Sequence, residues 1–129
     1  MPLLLDTSVA IELLDEVPRT IKRVADIDGQ FLSVISWIEL EAGVYRDSSR
    51  ESQRRVRLDG FLQQTGLLNF SAREVMAYSL IIASQGFSRR LVSDRMIAAT
   101  ALSYRLTLAT LNARDFRNIP GLTIEDWSA

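Results

Sequence analysis

The chain has 129 residues, with 15 basic and 16 acidic residues for a net charge of −1, and it contains neither histidine nor cysteine. Without imidazole there is no Ser-His-Asp triad. Without thiols there is no cysteine nucleophile, disulfide framework or Cys/His zinc site. Carboxylates, hydroxyls, fourteen arginines and a single lysine, Lys22, carry whatever chemistry the chain performs.

The length suits one domain over residues 1–129, and 47% hydrophobic residues supply a core. The segment Met1–Asp6 lacks the basic start and long apolar run of a signal peptide. The longest uncharged stretch, Val75–Ser88, is shorter than the roughly 18 apolar residues of a membrane span and contains Gln85 and Gly86. A soluble, cytoplasmic protein with no membrane partner is expected. Arginine enrichment fits local phosphate contacts as well as base composition, and the total charge excludes a uniformly basic nucleic-acid binder.

In chain order, Leu3–Leu5 is the first apolar triplet and reads as a buried strand, with Asp6 at its C-terminal end. Asp6 is also well placed to cap a helix over Thr7–Leu14. Phe31–Val34 predicts a second strand, merging into a helix that runs to Val44. On that helix Glu39 shares a face with Ile35, Ala42 and Gly43, so its carboxylate is expected to need an ion-pair partner or a metal. Glu41 points the other way and is expected to be solvated. The charge-dense run Arg46–Arg57 reads as an exposed helix start or as a contact surface for a protein or an RNA backbone. Leu58, Phe61 and Leu62 continue that helix towards Gly66.

Leu67–Phe70 is a weaker strand candidate. Ala72, Met76, Leu80 and Ala83 then recur at helical spacing before Gly86, a plausible stop. Asp94 stands one turn ahead of the apolar stripe Ile97, Ala98, Ala101 and Leu102, again in a position to cap. Leu106–Ala109 predicts a strand, followed by Asn112 and Asp115 in a loop, and Leu122–Ile124 is another weak strand. Strands alternating with helices predict an α/β domain: a mostly parallel sheet of about five strands with helices on both faces. Right-handed crossovers put the strand C-termini on one edge, where such folds bind ligands.

That topology gathers Asp6, Asp94 and the Asn112–Asp115 loop, with Glu39 in reach. Clustered carboxylates repel one another, and a hard divalent cation such as Mg²⁺ or Mn²⁺ removes that penalty. Such ions activate water and stabilise attack on a phosphodiester.

The pieces Leu5-Asp6-Thr7-Ser8, Glu39-Leu40-Glu41-Ala42-Gly43-Val44, Asp94 through Leu102, Leu108 through Phe116 and the tail Ile119 to Trp127 resemble the PIN domain. More closely they resemble the VapC toxins of type II toxin–antitoxin modules. The resemblance covers essentially the whole chain in order. It implies a three-layer α/β/α PIN-like fold and an Mg²⁺- or Mn²⁺-dependent endoribonuclease acting on an RNA substrate. By the resemblance Asp6 and Asp94 are the principal metal ligands. Glu39, rather than Glu41, is the third acid, because the family pattern is Glu-Leu followed two residues later by glycine. Asp115 is assigned as the fourth acid, with Asn112 as a polar contributor where some relatives have aspartate. Thr7, Ser8 and Thr110 are hydroxyls suited to orienting carboxylates or water. The resemblance also implies a cognate VapB-like antitoxin, usually a small DNA-binding protein whose C-terminal segment lies near the active site. Toxin homodimers and toxin–antitoxin hetero-oligomers are expected with it.

Two other readings stay open. One is a catalytically inactive PIN-like binding module. The other is a phospho-accepting signalling domain, although that chemistry wants an acidic pair after the first strand and a lysine after the last.

Overall fold

A computed structural model describes residues 1–128. These form five strands: β1 (Leu3–Leu5), β2 (Gln30–Ser33), β3 (Gly66–Leu68), β4 (Thr107–Thr110) and β5 (Ile124–Asp126). Six helices alternate with them: α1 (Thr7–Leu14), α2 (Pro18–Ala25), α3 (Val34–Val44), α4 (Glu51–Gln63), α5 (Ala72–Gln85) and α6 (Val92–Tyr104). Every ladder is parallel, and the strand order is β3-β2-β1-β4-β5.

Strand periodicity explains the three layers. Leu4 and Leu108 point to one face and pack with Ile81 of α5 and with Ile97, Ala98 and Ala101 of α6. Leu3, Leu5 and Ala109 point to the other face, against Val9 and Val24 of α1 and α2. On the same flank Leu32 meets Ala10, Leu40, Val44 and Leu58 from α1, α3 and α4. β1, covered on both faces, is accordingly an uninterrupted leucine triplet, fully buried.

Several boundaries differ from the sequence expectation. β2 ends at Ser33 and α3 begins at Val34 with no intervening loop, because the Ser33 hydroxyl caps the helix by accepting from the Ile35 amide at 3.1 Å. β3 starts at Gly66, two residues after Gln64 has capped α4. A Cβ at Gly66 would lie 2.5 Å from the Phe31 ring, so glycine here lets two neighbouring strands approach. Asn69 and Phe70 fall outside β3, and β5 lies two residues beyond the expected Leu122–Ile124. α2 has no counterpart in the expectation, since half of its eight residues are polar and only Thr20 is buried. Gly86 does terminate α5, in a positive-φ conformation (80°) that glycine adopts without strain.

The order of the strands places the site. From β1 the chain moves outward through β2 and β3, then returns to pair β4 against the other side of β1. The switch point therefore lies between the C-terminal ends of β1 and β4. In open parallel sheets that crevice is where ligands bind.

Candidate active site

Asp6 follows β1 directly and sits at this switch point, only 3% exposed. Its amide donates to the Ala109 carbonyl of β4 at 2.9 Å, locking it to the neighbouring strand. Asp6 occupies the cap position of α1, but its side chain makes no capping hydrogen bond. Instead its Oδ2 accepts from the hydroxyls of Ser8 (2.8 Å) and Thr110 (2.7 Å). Burial raises the Asp6 pKa above its ordinary value; those hydroxyls, with the nearby Thr7 and Ser8 amides, oppose the rise without cancelling it.

Asp94 is in the first turn of α6, inside the helix rather than at its cap, which is Leu91. Its carboxyl is pushed up to about 6, first by burial and then by the negative charges of Asp6, Asp115 and Glu39, with Arg90 opposing. The three other acids named from the sequence therefore share the field of Asp94. They share a field rather than a cage: among the described residues no three acidic side chains converge closely enough to clasp an ion as they stand.

Glu39 is exposed, not sunk on a small-residue face as expected, because Ile38 and Ala42 beside it also open to solvent. The Thr7 hydroxyl reaches its Oε1 at 2.6 Å and lies 2.8 Å from the Ser36 Oγ. Thr7 thus ties α3 to α1 beside Asp6. Asp115 lies in the short 3₁₀ turn Ala113–Phe116 after β4, where Arg90 pairs with its Oδ1 at 3.3 Å. Asn112 contributes through its backbone: its amide donates to Thr110 Oγ1 at 2.9 Å and its carbonyl accepts from the Asp115 amide at 3.0 Å, while its side chain is exposed. Ser8 Oγ also accepts from the Leu111 amide at 3.2 Å. Ser8 and Thr110 therefore fix the loop after β4 and the Asp6 carboxylate at once.

Two contributors were not read from the sequence. Ser36 is fully buried three residues before Glu39, on the same helical face, and that spacing is its only signal. Arg90, four residues before Asp94, has no sequence signal beyond its charge. Glu41, expected to be solvated, is instead half-buried. It accepts both Arg55 Nη atoms (2.7 and 2.8 Å) and Trp37 Nε1 (2.9 Å). Those partners, Arg55 first, hold its carboxyl down to about 2. The Glu41 charge is thus met by Arg55 of α4. Beside Glu39 a groove opens between α1, α3 and α4, floored by Ile11, Leu40 and Val44 and rimmed by Arg46, Arg50 and Arg54.

The donor set fits a hard divalent cation. All four side chains offer carboxylate oxygen, and the mutual repulsion that raises Asp94 is a cost such an ion would remove. Fold and site together define a doubly wound α/β domain with an acidic crevice at its switch point.

Comparison with known proteins narrows this class. The PIN domain family model matches residues 3–122, and the chain belongs to that family. It is 31% identical to "Ribonuclease VapC" of Rickettsia bellii, over 96% of this chain and 95% of the relative. It is 29% identical to "tRNA(fMet)-specific endonuclease VapC" of Shigella flexneri, over 97% of both chains. A DNA-bound VapBC crystal structure from Salmonella typhimurium contains a chain that superposes with a TM-score of 0.84 at 26% identity, covering 98% of both chains.

Proposed function

We propose that this chain is a VapC-type endoribonuclease toxin whose acidic crevice works with a divalent cation and whose activity is held in check by a VapB-like antitoxin. The observation that carries the metal-dependent part is the gathering of Asp6, Asp115 and Glu39 around Asp94, whose carboxyl is pushed up to about 6 first by burial and then by their charges. The near-full-length likeness to VapC ribonucleases supports the activity and the partner.

Asp6 and Asp94 would hold Mg²⁺ or Mn²⁺, with Glu39 and Asp115 completing the oxygen set. When bound, the ion lowers the pKa of a water and offsets charge on the scissile phosphate. The protein's own contribution is positioning. Ser8 and Thr110 fix one oxygen of Asp6, and Thr7 holds Glu39 towards α1. The apolar groove beside Glu39 is assigned to the antitoxin segment, with its arginines meeting acidic groups. A toxin homodimer completes the assembly.

The test is RNA cleavage by Asp6→Asn and Asp94→Asn in Mn²⁺. Both variants are expected to lose cleavage while keeping a cooperative melt. Wild-type cleavage by either variant would remove the assignment. A Mn²⁺-dependent rise in melting temperature without cleavage by the wild type would favour an inactive binding module. Acetyl-phosphate labelling would point to a signalling domain.

A further inference from the structure

The loop between α5 and α6 carries features the acidic site does not explain. Gly86-Phe87-Ser88-Arg89-Arg90-Leu91 puts an aromatic residue and two arginines within four positions of one another. Phe87 is 67% exposed and belongs to none of the core clusters of the described residues. The Arg90 side chain is 72% exposed, yet it reaches Asp115 at 3.3 Å and its charge is felt by Asp94. Arg89 is exposed as well.

The loop is also shaped. Arg95, only 8% exposed, turns its guanidinium back to the Gly86 carbonyl at the loop's start. The Leu91 amide closes onto the Ser88 carbonyl at 3.2 Å, and the Arg95 amide onto the Leu91 carbonyl at 2.9 Å. A buried arginine used to hold a six-residue connection presents Phe87 and Arg90 from a defined frame.

An exposed aromatic ring interleaved with arginines is the chemistry that binds single-stranded nucleic acid. The ring stacks on an unpaired base, and the guanidinium contacts a phosphate beside it. A duplex hides its base faces and offers only the phosphate half of that interaction. A crevice ringed by carboxylates repels RNA, so a cation at its rim is where a flanking phosphate is best received.

We infer that the Phe87–Arg90 loop is the substrate-recognition element of this chain, stacking one unpaired base of RNA on Phe87 and binding an adjacent phosphate through Arg90. The inference rests on the endoribonuclease reading above and adds to it the residues that receive the substrate beside the crevice.

The test is fluorescence anisotropy of a labelled oligouridylate and of an RNA duplex of equal length, in EDTA, across a salt series. Cleavage of single-stranded RNA in Mn²⁺ by the wild type is measured alongside. Phe87→Ala is expected to weaken oligouridylate binding about 5- to 150-fold, the worth of one stacked base, and to leave duplex binding unchanged. Phe87→Tyr keeps the ring and is expected to bind like wild type. Arg90→Gln is expected to weaken both RNAs and to reduce the slope of log K against log salt by about 0.7. Both side chains are exposed, so melting temperatures stay at the wild-type value. If the wild type cleaves RNA but both variants bind with wild-type affinity and slope, the inference is overturned and the nuclease reading stands. If the wild type neither binds nor cleaves, the nuclease reading falls and this inference with it. If Phe87→Ala instead converts a dimer to a monomer in sedimentation without altering RNA binding, Phe87 belongs to an interface between copies and the inference is likewise overturned.

Discussion

Asp94 and Glu74 are both acids in the first turn of their helices, α6 and α5, and they are treated in opposite ways. Glu74 is fully buried; Asp94 is only partly so. Burial alone should therefore raise Glu74 more. Yet its carboxyl is held down to about 2, because the Ser103 and Ser71 hydroxyls, the Ser71 amide and Arg73 outweigh desolvation. Its Oε1 accepts the Ser71 amide at 2.8 Å and the Ser71 hydroxyl at 2.7 Å, and Oε2 accepts Arg73 Nε at 3.1 Å and the Ser103 hydroxyl. Asp94 goes up to about 6, first through its burial and then through its acidic neighbours. What separates the two is the supply of hydrogen-bond donors that offset burial at Glu74. Glu74 is given donors, whereas Asp94 is left short of them.

Removing the partners' target should break the better-satisfied site hardest. Glu74→Ala strands the Ser71 amide and the other donors that meet in the α5–α6 seam. A loss of about 2–4 kcal/mol is expected in urea unfolding. A loss below the error of the measurement would mean that these donors find water instead.

Asp94 should behave in the reverse sense. Its folded pKa is raised, so its contribution to stability is complete below pH 4 and is lost as pH rises through about 6. In EDTA the protein is expected to lose stability on the order of 1 kcal/mol between pH 4 and pH 7 from this group, after allowing for its partial exposure. Asp94→Asn should flatten that slope. Glu74 and Glu41 act in the opposite sense, since their lowered pKa values make stability fall as pH drops below about 5, so the Asp94 contribution is read as the difference between the wild type and Asp94→Asn. A slope unchanged by Asp94→Asn would disprove the assignment of the strained charge.

The smallest effect is expected at Glu41→Gln, where a partly exposed bidentate pair with Arg55 is weakened. A drop in melting temperature under about 4 °C is expected by calorimetry, with RNA cleavage unchanged. A loss of cleavage there would mean that Glu41, rather than Glu39, serves the site.

Much of this arrangement is legible in the residues themselves. The apolar triplet ahead of Asp6 and the helical stripe behind Asp94 locate both acids, since strand and helix periodicity fix which ends meet. The parallel order follows from the alternation of elements. Glu39 was placed on the right helix but given the wrong solvent environment, because helical spacing says which residues share a face and not whether a neighbouring element covers it. Glu41 was read as solvated since Arg55, its partner, lies fourteen residues away on another helix. Glu74 did carry a local signal, the Ser-x-x-Glu spacing from Ser71 of a reciprocal helix cap. Its bond to Ser103 did not, being a contact across the α5–α6 pair. The role of Arg90 depends on the return of the chain to Asp115 and has no local trace at all.

The hydroxyl bond from Thr110 to Asp6 spans 104 positions of the chain. During synthesis the first strand emerges early and waits without its inner neighbour, because β4 is made long afterwards. Until Thr110 has been added and has folded back, Asp6 lacks the hydroxyl that orients it, and Asp115 does not yet exist. The crevice at the switch point is therefore put together only after most of the chain has been made. It closes as one late event of folding, after the helices of both flanks have had time to form.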